Sequence, residues 1–197
     1  MNPRTEEPSV PPIRSLTVTA AGDREIVMTR SFDAPRRLVF EAINEPELVK
    51  QWLTGPPGWT MNVCEIDLRV GGRYRYGWQH VDGRTMGMGG VYREIAAPER
   101  VVATEKFDDA WYPGEALGTI ALAEQGGRTT LTQTIRYESR AARDGVLKSP
   151  MESGVAASYD RLAELVAAQQ DAAKGATKGP AKGPAKGPVR GKGTQGA

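Results

Sequence analysis

The sequence has little of the two residue types that build disulfides and zinc sites: one cysteine, Cys64, and one histidine, His80. An internal disulfide is therefore excluded, and this cysteine usage is typical of a reducing cytoplasm. Zinc needs several nitrogen and sulfur ligands together, so we predict no metal site, and we predict no cofactor. We expect His80 to be exposed at a hairpin end, where it would not activate Cys64 as a nucleophile.

Long apolar runs are also missing. No stretch of about 18 apolar residues occurs, so we predict no membrane span. Residues 1–15 contain no apolar segment of the kind found in secretory signals, so we expect a cytoplasmic protein. The apolar fraction of 39% and the charged fraction of 25% are typical of a globular domain.

Acidic residues are absent from the end of the chain, where six basic residues lie among Gly, Pro and Ala: Lys174, Lys178, Lys182, Lys186, Arg190 and Lys192. Of the 26 basic residues, the other 20 face 24 acidic ones, so the rest of the chain is mildly acidic. We predict a disordered basic tail over 171–197. It would make weak, salt-sensitive contacts with a polyanion or nucleic acid, or act only as a solubilising extension.

The apolar pattern divides the chain into three parts. Residues 1–22 are polar and rich in proline, and we predict a disordered or partly ordered segment with an edge strand at Leu16–Thr19. Residues 23–170 carry nearly all of the periodic apolar pattern and are predicted to form one domain.

A strand at Arg24–Phe32 is predicted to lead into two short helices. Pro35 and Pro46 mark their first turns, because proline is favoured there. Strand patterns then follow with only turns between them: WTMNVCEIDL, GGRYRYGWQHVDG, RTMGMGGVYREI, RVVATEKF, ALGTIALAEQ and RTTLTQTIRYES. This spacing indicates a meandering antiparallel sheet.

One long helix is predicted to close the domain, with Ser149, Pro150 and Glu152 as a capping box. Its apolar stripe must be buried, and the sheet is the available partner. The stripe consists of Met151, Val155, Tyr159, Leu162 and Val166. The predicted fold class is α+β: a curved antiparallel sheet wrapped around a long C-terminal helix, with two short helices between the first and second strands and a space beneath the long helix.

Three segments in this order, TRSFDAPRRLVFEAINEPELVKQW, GGRYRY with GGVYREIAAPERVV, and MESGVAASYDRLAELV, resemble the START-like (SRPBCC, Bet v 1-like) superfamily. They are similar to its branch named after the C-terminal domain of the activator of heat-shock protein 90 ATPase. The resemblance covers roughly 23–170 and implies a helix-grip fold with an internal cavity. That branch usually closes with Gly-Met-Glu-x-Gly-Trp. Here Pro150 replaces the first Gly and Val155 the Trp, which implies a larger space beside the helix.

The superfamily includes lipid and hormone carriers, polyketide cyclases and chaperone regulators, so function must come from the site. Our leading hypothesis is a binding protein that holds a small hydrophobic molecule between sheet and helix. One alternative is a cyclase or dehydrase-like enzyme that uses the same cavity. The other is a chaperone-associated or regulatory protein that acts through its surface.

The stretch GGRYRYGWQHVDG carries the main candidate site. Tyr74, Tyr76 and Trp78 alternate with Arg73 and Arg75, so a strand would place the three rings on one face. Buried Tyr and Trp need partners for their polar atoms, which a ligand or a bound water can supply. We predict that the rings line the cavity. Core packing and an exposed apolar face are the alternatives.

Two further stretches carry candidates. In TMGMGG, Met86 and Met88 share one face and the glycines leave room on the other, which indicates either a pocket or sheet curvature. In DDAWYPG, Trp111 and Tyr112 are predicted to form a mouth loop, or else to close one end of the core.

Glu105 is the main polar candidate, because it lies in phase with Val101 and Phe107 on its strand. An inward glutamate would have a raised pKa and would act as an acid or base, or orient a ligand. The alternative is a structural ion pair with Arg30. Asp67 is a weaker polar candidate.

The predicted ligand-binding residues share an inward position on a strand, a helix or the mouth loop. They are Trp52, Tyr74, Tyr76, Trp78, Met86, Met88, Glu105, Phe107, Trp111, Tyr112, Met151, Val155 and Tyr159. Glu105 is the one weak catalytic candidate, and we expect binding rather than catalysis.

Overall fold

The computed structural model describes residues 15–110 and 112–177. Trp111, most of the N-terminal segment and the basic residues after Thr177 lie outside the described residues. The predictions of a tail and of its polyanion contact therefore concern residues that are mostly not described.

The strands and helices of the described chain follow the predicted order, with one helix added. The strands are β1 (Thr17–Ala21), β2 (Glu25–Phe32), β3 (Trp59–Ile66), β4 (Arg73–His80), β5 (Thr85–Ala96), β6 (Arg100–Phe107), β7 (Ala116–Gln125) and β8 (Arg128–Arg136). The helices are α1 (Arg36–Asn44), α2 (Pro46–Trp52), α3 (Arg140–Leu147) and α4 (Met151–Thr177).

All eight strands of the described chain form one antiparallel sheet with the order β1-β2-β8-β7-β6-β5-β4-β3. From β3 to β8 each strand pairs with the next along the chain, as the sequence indicated. Gly83 has a φ of 91° in the turn between β4 and β5, which is the left-handed region that glycine adopts without strain. β8 pairs with β2. The two short helices lie between β2 and β3 along the chain, as predicted.

α4 packs against α1, α2, α3 and β2. Tyr159, Leu162 and Val166 of its predicted stripe are buried, whereas Met151 and Val155 are half-buried. The stripe therefore enters the core over its C-terminal part, and the predicted helix-grip fold is confirmed.

Three local features differ from the expectations. α3 was not predicted, although Ser139 caps it by accepting a hydrogen bond from the Ala142 amide at 3.1 Å. The Ser149 hydroxyl does not act as the predicted cap but donates to the Val146 carbonyl at 2.6 Å. α4 continues past residue 170 and ends at Thr177.

The core has three parts. Around α1 and the middle of α4, the side chains of Phe32, Leu131, Leu162 and Val166 are at most 1% exposed. We call this part the closed end. A second part lies under α3 and includes Ile26, Met28, Ile135, Tyr137 and Val146. A third part joins α2 to β3 and β4 and consists of Val49, Met61, Cys64 and Trp78.

Candidate functional site

The aromatic side chains of β4 lie on the inner face of the sheet, as predicted. The ring centroids of Tyr74 and Tyr76 are 5.0 Å apart, and those of Tyr76 and Trp78 are 6.1 Å apart. Arg73 and Arg75 are exposed on the other face. The alternation of the strand therefore places the aromatic rings on one face of the sheet and the two arginines on the other.

Several polar atoms of the aromatic side chains are satisfied within the protein. The Trp78 indole donates to the Leu53 carbonyl at 2.7 Å, and the Trp52 indole donates to the Ala42 carbonyl at 2.9 Å. These two side chains are buried and pack in the core. Trp52 and Trp78 are therefore core residues, and their indole N–H groups are not available to a ligand.

Tyr74 reaches across β5, where its hydroxyl donates to the Thr104 carbonyl of β6 at 2.9 Å. Gly90 makes this possible, since a Cβ there would lie 1.8 Å from the Thr104 oxygen and 2.9 Å from the Tyr74 ring. One glycine of TMGMGG thus permits a close approach of the backbone.

Five inward side chains on β4, β5 and β6 keep part of their surface exposed: Tyr74, Tyr76, Met86, Met88 and Phe107. We call them the inner strip. They are contiguous, because Tyr76 lies opposite Met88 and Met88 lies opposite Phe107 in the strand pairing. On α4, Met151 and Val155 are half-buried in the same way. Phe107 packs in the same cluster as these two α4 residues. Inward apolar surface is therefore incompletely covered on β4–β6.

Glu105 is half-buried at the edge of the inner strip, two residues before Phe107. Burial raises the pKa of its carboxyl to about 7, and the nearby Tyr112 hydroxyl offsets part of that rise. Tyr112 packs edge-on against Tyr137, with ring centroids 5.2 Å apart. The expected inward glutamate is thus present, next to two tyrosines.

The alternative ion pair between Arg30 and Glu105 is wrong. Arg30 is 1% exposed and pairs through Nη2 with the Asp160 Oδ1 atom of α4, at 2.6 Å. Asp67 pairs with Arg69 at 2.9 Å, and both side chains are exposed. Of the three polar candidates, only Glu105 lies beside the inner strip.

The loop between β6 and β7 is held at both ends. Arg75 donates to Asp108 at 2.7 Å and 2.5 Å, and Gly87 leaves room for this pair, since a Cβ there would lie 2.2 Å from the Asp108 carboxylate. At the other end, the Glu115 amide donates to Glu138 at 3.0 Å. Between these two ends, Tyr112 is buried.

Cys64 and His80 do not meet in the sheet. Cys64 lies buried opposite Tyr76, and His80 lies opposite Trp59. His80 is 2.7 Å from Asp82, and this hydrogen bond lowers the pKa of Asp82 to about 2. Among residues 15–110 and 112–177, no three side chains of metal-ligating types come together.

Two surface pockets lie outside the inner strip. One, of about 530 Å³, is lined by Asp33, Gln125, Gly126, Gly127, Arg128, Gln170 and Lys174. The other, of about 250 Å³, is lined by Phe40, Glu41, Asn44, Glu45, Pro46, Ile66 and Leu68. Neither is lined by any predicted ligand-binding residue, so the prediction for those residues remains a prediction.

Sequence reasoning missed Tyr137 and Gln133. Tyr137 faces Tyr112, and Gln133 accepts a hydrogen bond from the Tyr159 hydroxyl at 2.7 Å. Gln133 and Tyr137 lie two and six residues after Leu131, so the alternation that starts in β8 places all three on one face. None of the helices in the described ranges is long and apolar enough to cross a membrane.

The chain is similar to a known protein family and to several solved structures. The family model of Activator of Hsp90 ATPase homolog 1-like protein matches residues 33–167. A protein from Rhodobacter sphaeroides has 29% identity and a TM-score of 0.74, covering 78% of this chain and 98% of that one. A protein from Chromobacterium violaceum has 32% identity and a TM-score of 0.61, covering 73% and 96%.

An AHSA1-like protein from Aeromonas hydrophila shares the fold, with 20% identity and a TM-score of 0.56 over 73% of this chain and 94% of that one. No protein of curated function gives a significant match to the chain.

Proposed function

Because this chain belongs to the family of Activator of Hsp90 ATPase homolog 1-like proteins, within the START-like (SRPBCC) superfamily, we propose that it binds a small hydrophobic molecule. The ligand lies on the inner strip, between β4–β6 and the N-terminal part of α4. Binding sequesters or carries the molecule and involves no chemical step.

One observation carries this proposal: the inner strip lies on the inward face of β4–β6, beside the core residues Val49 and Trp78, yet its side chains stay half-buried. When a ligand covers apolar surface that the protein leaves exposed to water, each Å² covered favours binding by about 25 cal/mol. Methionine suits such a surface, because its flexible side chain adapts to ligands of different shape. Tyr76, Met86 and Met88 would supply most of the contact.

Native mass spectrometry tests the proposal on the full chain, purified gently from its cells and then mixed with a panel of hydrophobic compounds. We expect an added mass that disappears on denaturation. Met88→Gln should lose it, whereas Leu68→Gln, at an exposed residue outside the inner strip, should retain it. A clean apo mass with no gain from the panel would contradict the proposal.

An enzyme of the cyclase or dehydrase kind is a second candidate, and Glu105 favours it. A carboxyl with a pKa of about 7 exchanges protons near neutral pH, as a general acid or base must. Turnover that Glu105→Gln abolishes would support this candidate. Binding of an uncharged ligand should survive the same substitution if the protein is a carrier.

A surface role with a chaperone is the third candidate. It is favoured by the exposed apolar side chains of Leu68 and Val70, next to the pocket at Phe40 and Pro46. The test is co-purification of a stable complex with the full chain. Leu68→Gln should abolish such a complex and leave ligand binding intact, so one variant separates the two functions.

For the ends of the chain, the sequence-based division stands as a proposal. The basic residues after Thr177 would add a weak, sequence-independent contact with polyanions. Binding of the full chain to a nucleic acid that weakens steeply with added salt, and that a chain ending at Thr177 does not show, would support it.

A further inference from the structure

The pocket of about 530 Å³ lies where the turn between β7 and β8 meets the C-terminal turns of α4. The turn contributes residues 125–128, α4 contributes Gln170 and Lys174, and Asp33 lies just before α1. Every lining residue is polar or glycine, and we call this site the polar pocket. Its volume is in the range of small-molecule sites, which is roughly 300–1,000 Å³.

The turn leaves open space at the polar pocket. Gly126 and Gly127 have φ values of 60° and 76°, which glycine adopts without strain in a two-residue hairpin turn. Nothing lies within 4 Å of the position that a Cβ atom would take at either residue. A molecule beside the turn therefore reaches the flanking side chains of Gln125 and Arg128.

Arg128 is the cation of the turn, and one contact fixes its position. Its Nε atom donates to the Asp33 Oδ1 atom at 2.8 Å. Within residues 15–110 and 112–177, no acceptor pairs with its two Nη atoms. A guanidinium held in this way presents parallel N–H donors, which match two oxygen atoms of a phosphate group.

Lys174 brings a second cation from α4. Its side chain is 66% exposed, and its ammonium lies 4.0 Å from the carboxylate of Asp171 on the same helix. Gln125 and Gln170 add side-chain amides, which both donate and accept hydrogen bonds. Two of the residues that line the polar pocket are therefore cationic, and of these lining residues only Asp33 is acidic.

The acidic residue next to the turn is engaged elsewhere. Glu124 does not line the polar pocket, and its carboxylate accepts a hydrogen bond from the Arg36 amide at 2.8 Å. A phosphate monoester carries close to two negative charges near neutral pH and has three strong acceptor oxygens. Such a group matches the two cations of the lining better than a carboxylate does.

We propose that the polar pocket binds a small phosphorylated molecule that is polar throughout, of the sugar phosphate class. Arg128 and Lys174 contact the phosphate, and the amides of Gln125 and Gln170 contact hydroxyl groups of the remainder. This inference goes beyond the proposed function, because none of the lining residues belongs to the inner strip. The two sites bind ligands of opposite polarity.

The experiment is calorimetric titration of the full chain with glucose-6-phosphate and with glucose, two probes that differ only in the phosphate group. We expect glucose-6-phosphate to bind roughly tenfold or more tightly than glucose, because hydrogen bonds between charged groups are the strong ones. Added salt should weaken the binding of glucose-6-phosphate, since both cations are partly exposed to solvent.

Arg128→Gln should lower the affinity for glucose-6-phosphate by roughly tenfold, and Arg128→Lys should recover part of the loss because the charge remains. Lys174→Gln should lower the affinity as well. Arg93→Gln removes the same charge from an exposed position of β5 outside the polar pocket and should leave the affinity unchanged. Circular dichroism of each variant shows that it is folded, as we expect for substitutions of exposed side chains.

The outcomes separate the polar pocket from other cations. Absence of glucose-6-phosphate binding overturns the inference, and so does a preference over glucose that survives Arg128→Gln. An equal loss in Arg93→Gln also overturns it, because total charge would then explain the binding. The hydrophobic compound panel tests the inner strip separately, so each of these results leaves the proposed function standing.

Discussion

The first turns and the middle of α4 are buried to different extents. At the closed end, Leu162 and Val166 are at most 1% exposed and pack with Phe32 and Leu131. At the other end, Met151 and Val155 of the same apolar stripe are only half-buried. The same helix is therefore fully packed in one region and leaves inward apolar side chains partly exposed in another, which we call the open end.

The charged side chains of the inner face differ in the same way. Arg30 at the closed end is buried and has an acidic partner, Asp160, on α4. Glu105 on β6 is half-buried, and burial raises its pKa to about 7. One buried charge is thus compensated by an ion pair, whereas burial shifts the other towards its neutral form.

The largest expected effect comes from emptying the closed end. Leu162→Ala removes a fully buried side chain from a region without spare space, so the free energy of unfolding should fall by about 3 kcal/mol. Urea denaturation followed by circular dichroism measures it. A loss below about 1 kcal/mol would show that the closed end is not tightly packed.

The next effect is a pH dependence that originates at Glu105. Its carboxyl pKa is raised from 4.5 to about 7 on folding, so the folded state holds a proton that the unfolded state has released. Its contribution to stability is complete below about pH 4.5 and is lost as the pH rises through about 7. Glu105→Gln should therefore be more stable than the parent protein near pH 8, by about 2 kcal/mol after allowing for the exposure that Glu105 retains.

Denaturation of both proteins across this pH range gives the measurement, and the difference between them removes the effect of the other carboxyls. A difference that stays constant with pH would mean that Glu105 titrates normally.

A smaller effect is expected at the buried arginine. Asp160→Ala leaves the Arg30 guanidinium buried without its partner, which should cost about 1 kcal/mol, because Asp160 is itself 60% exposed. Arg30→Met removes the buried charge and fills much of its volume, so it should cost less than Asp160→Ala. We expect Arg30→Met to have a higher melting temperature than Asp160→Ala. The reverse order would show that the guanidinium is stabilising by itself.

The smallest effect should come from the open end. Met151→Ala shortens a half-buried side chain on the same stripe as Leu162 and should cost about 0.5 kcal/mol, since little contact is lost. Ligand affinity should fall with it. A stability loss equal to that of Leu162→Ala would remove the distinction between the two ends.

Much of the fold was predictable because its signals are local. Alternation along β4 placed Tyr74, Tyr76 and Trp78 on one face, and Pro46 marked the start of α2, as the structure confirms. The stripe on α4 predicted a buried helix but not where burial would stop, because that depends on how far the sheet curves beneath it. α3 was missed because it has no proline at its start, the signal that marked the equally short α1 and α2.

The site was less predictable because its contacts join distant parts of the chain. The inward phase of Glu105 could be read from β6, but its neighbours Tyr112 and Tyr137 depend on how the loop and the end of β8 meet. The partner of Arg30 was not predictable, because Asp160 is 130 residues away on α4. Strand phase gives the direction of a side chain, and only the assembled sheet gives what it touches.

The clamped loop between β6 and β7 has a kinetic consequence. Its described ends are tied to β4 by Asp108 and to Glu138 by the Glu115 amide. Opening of this loop would require both contacts to break. We therefore expect a molecule bound on the inner strip to dissociate at a rate set by its affinity and its association rate, without a separate opening step.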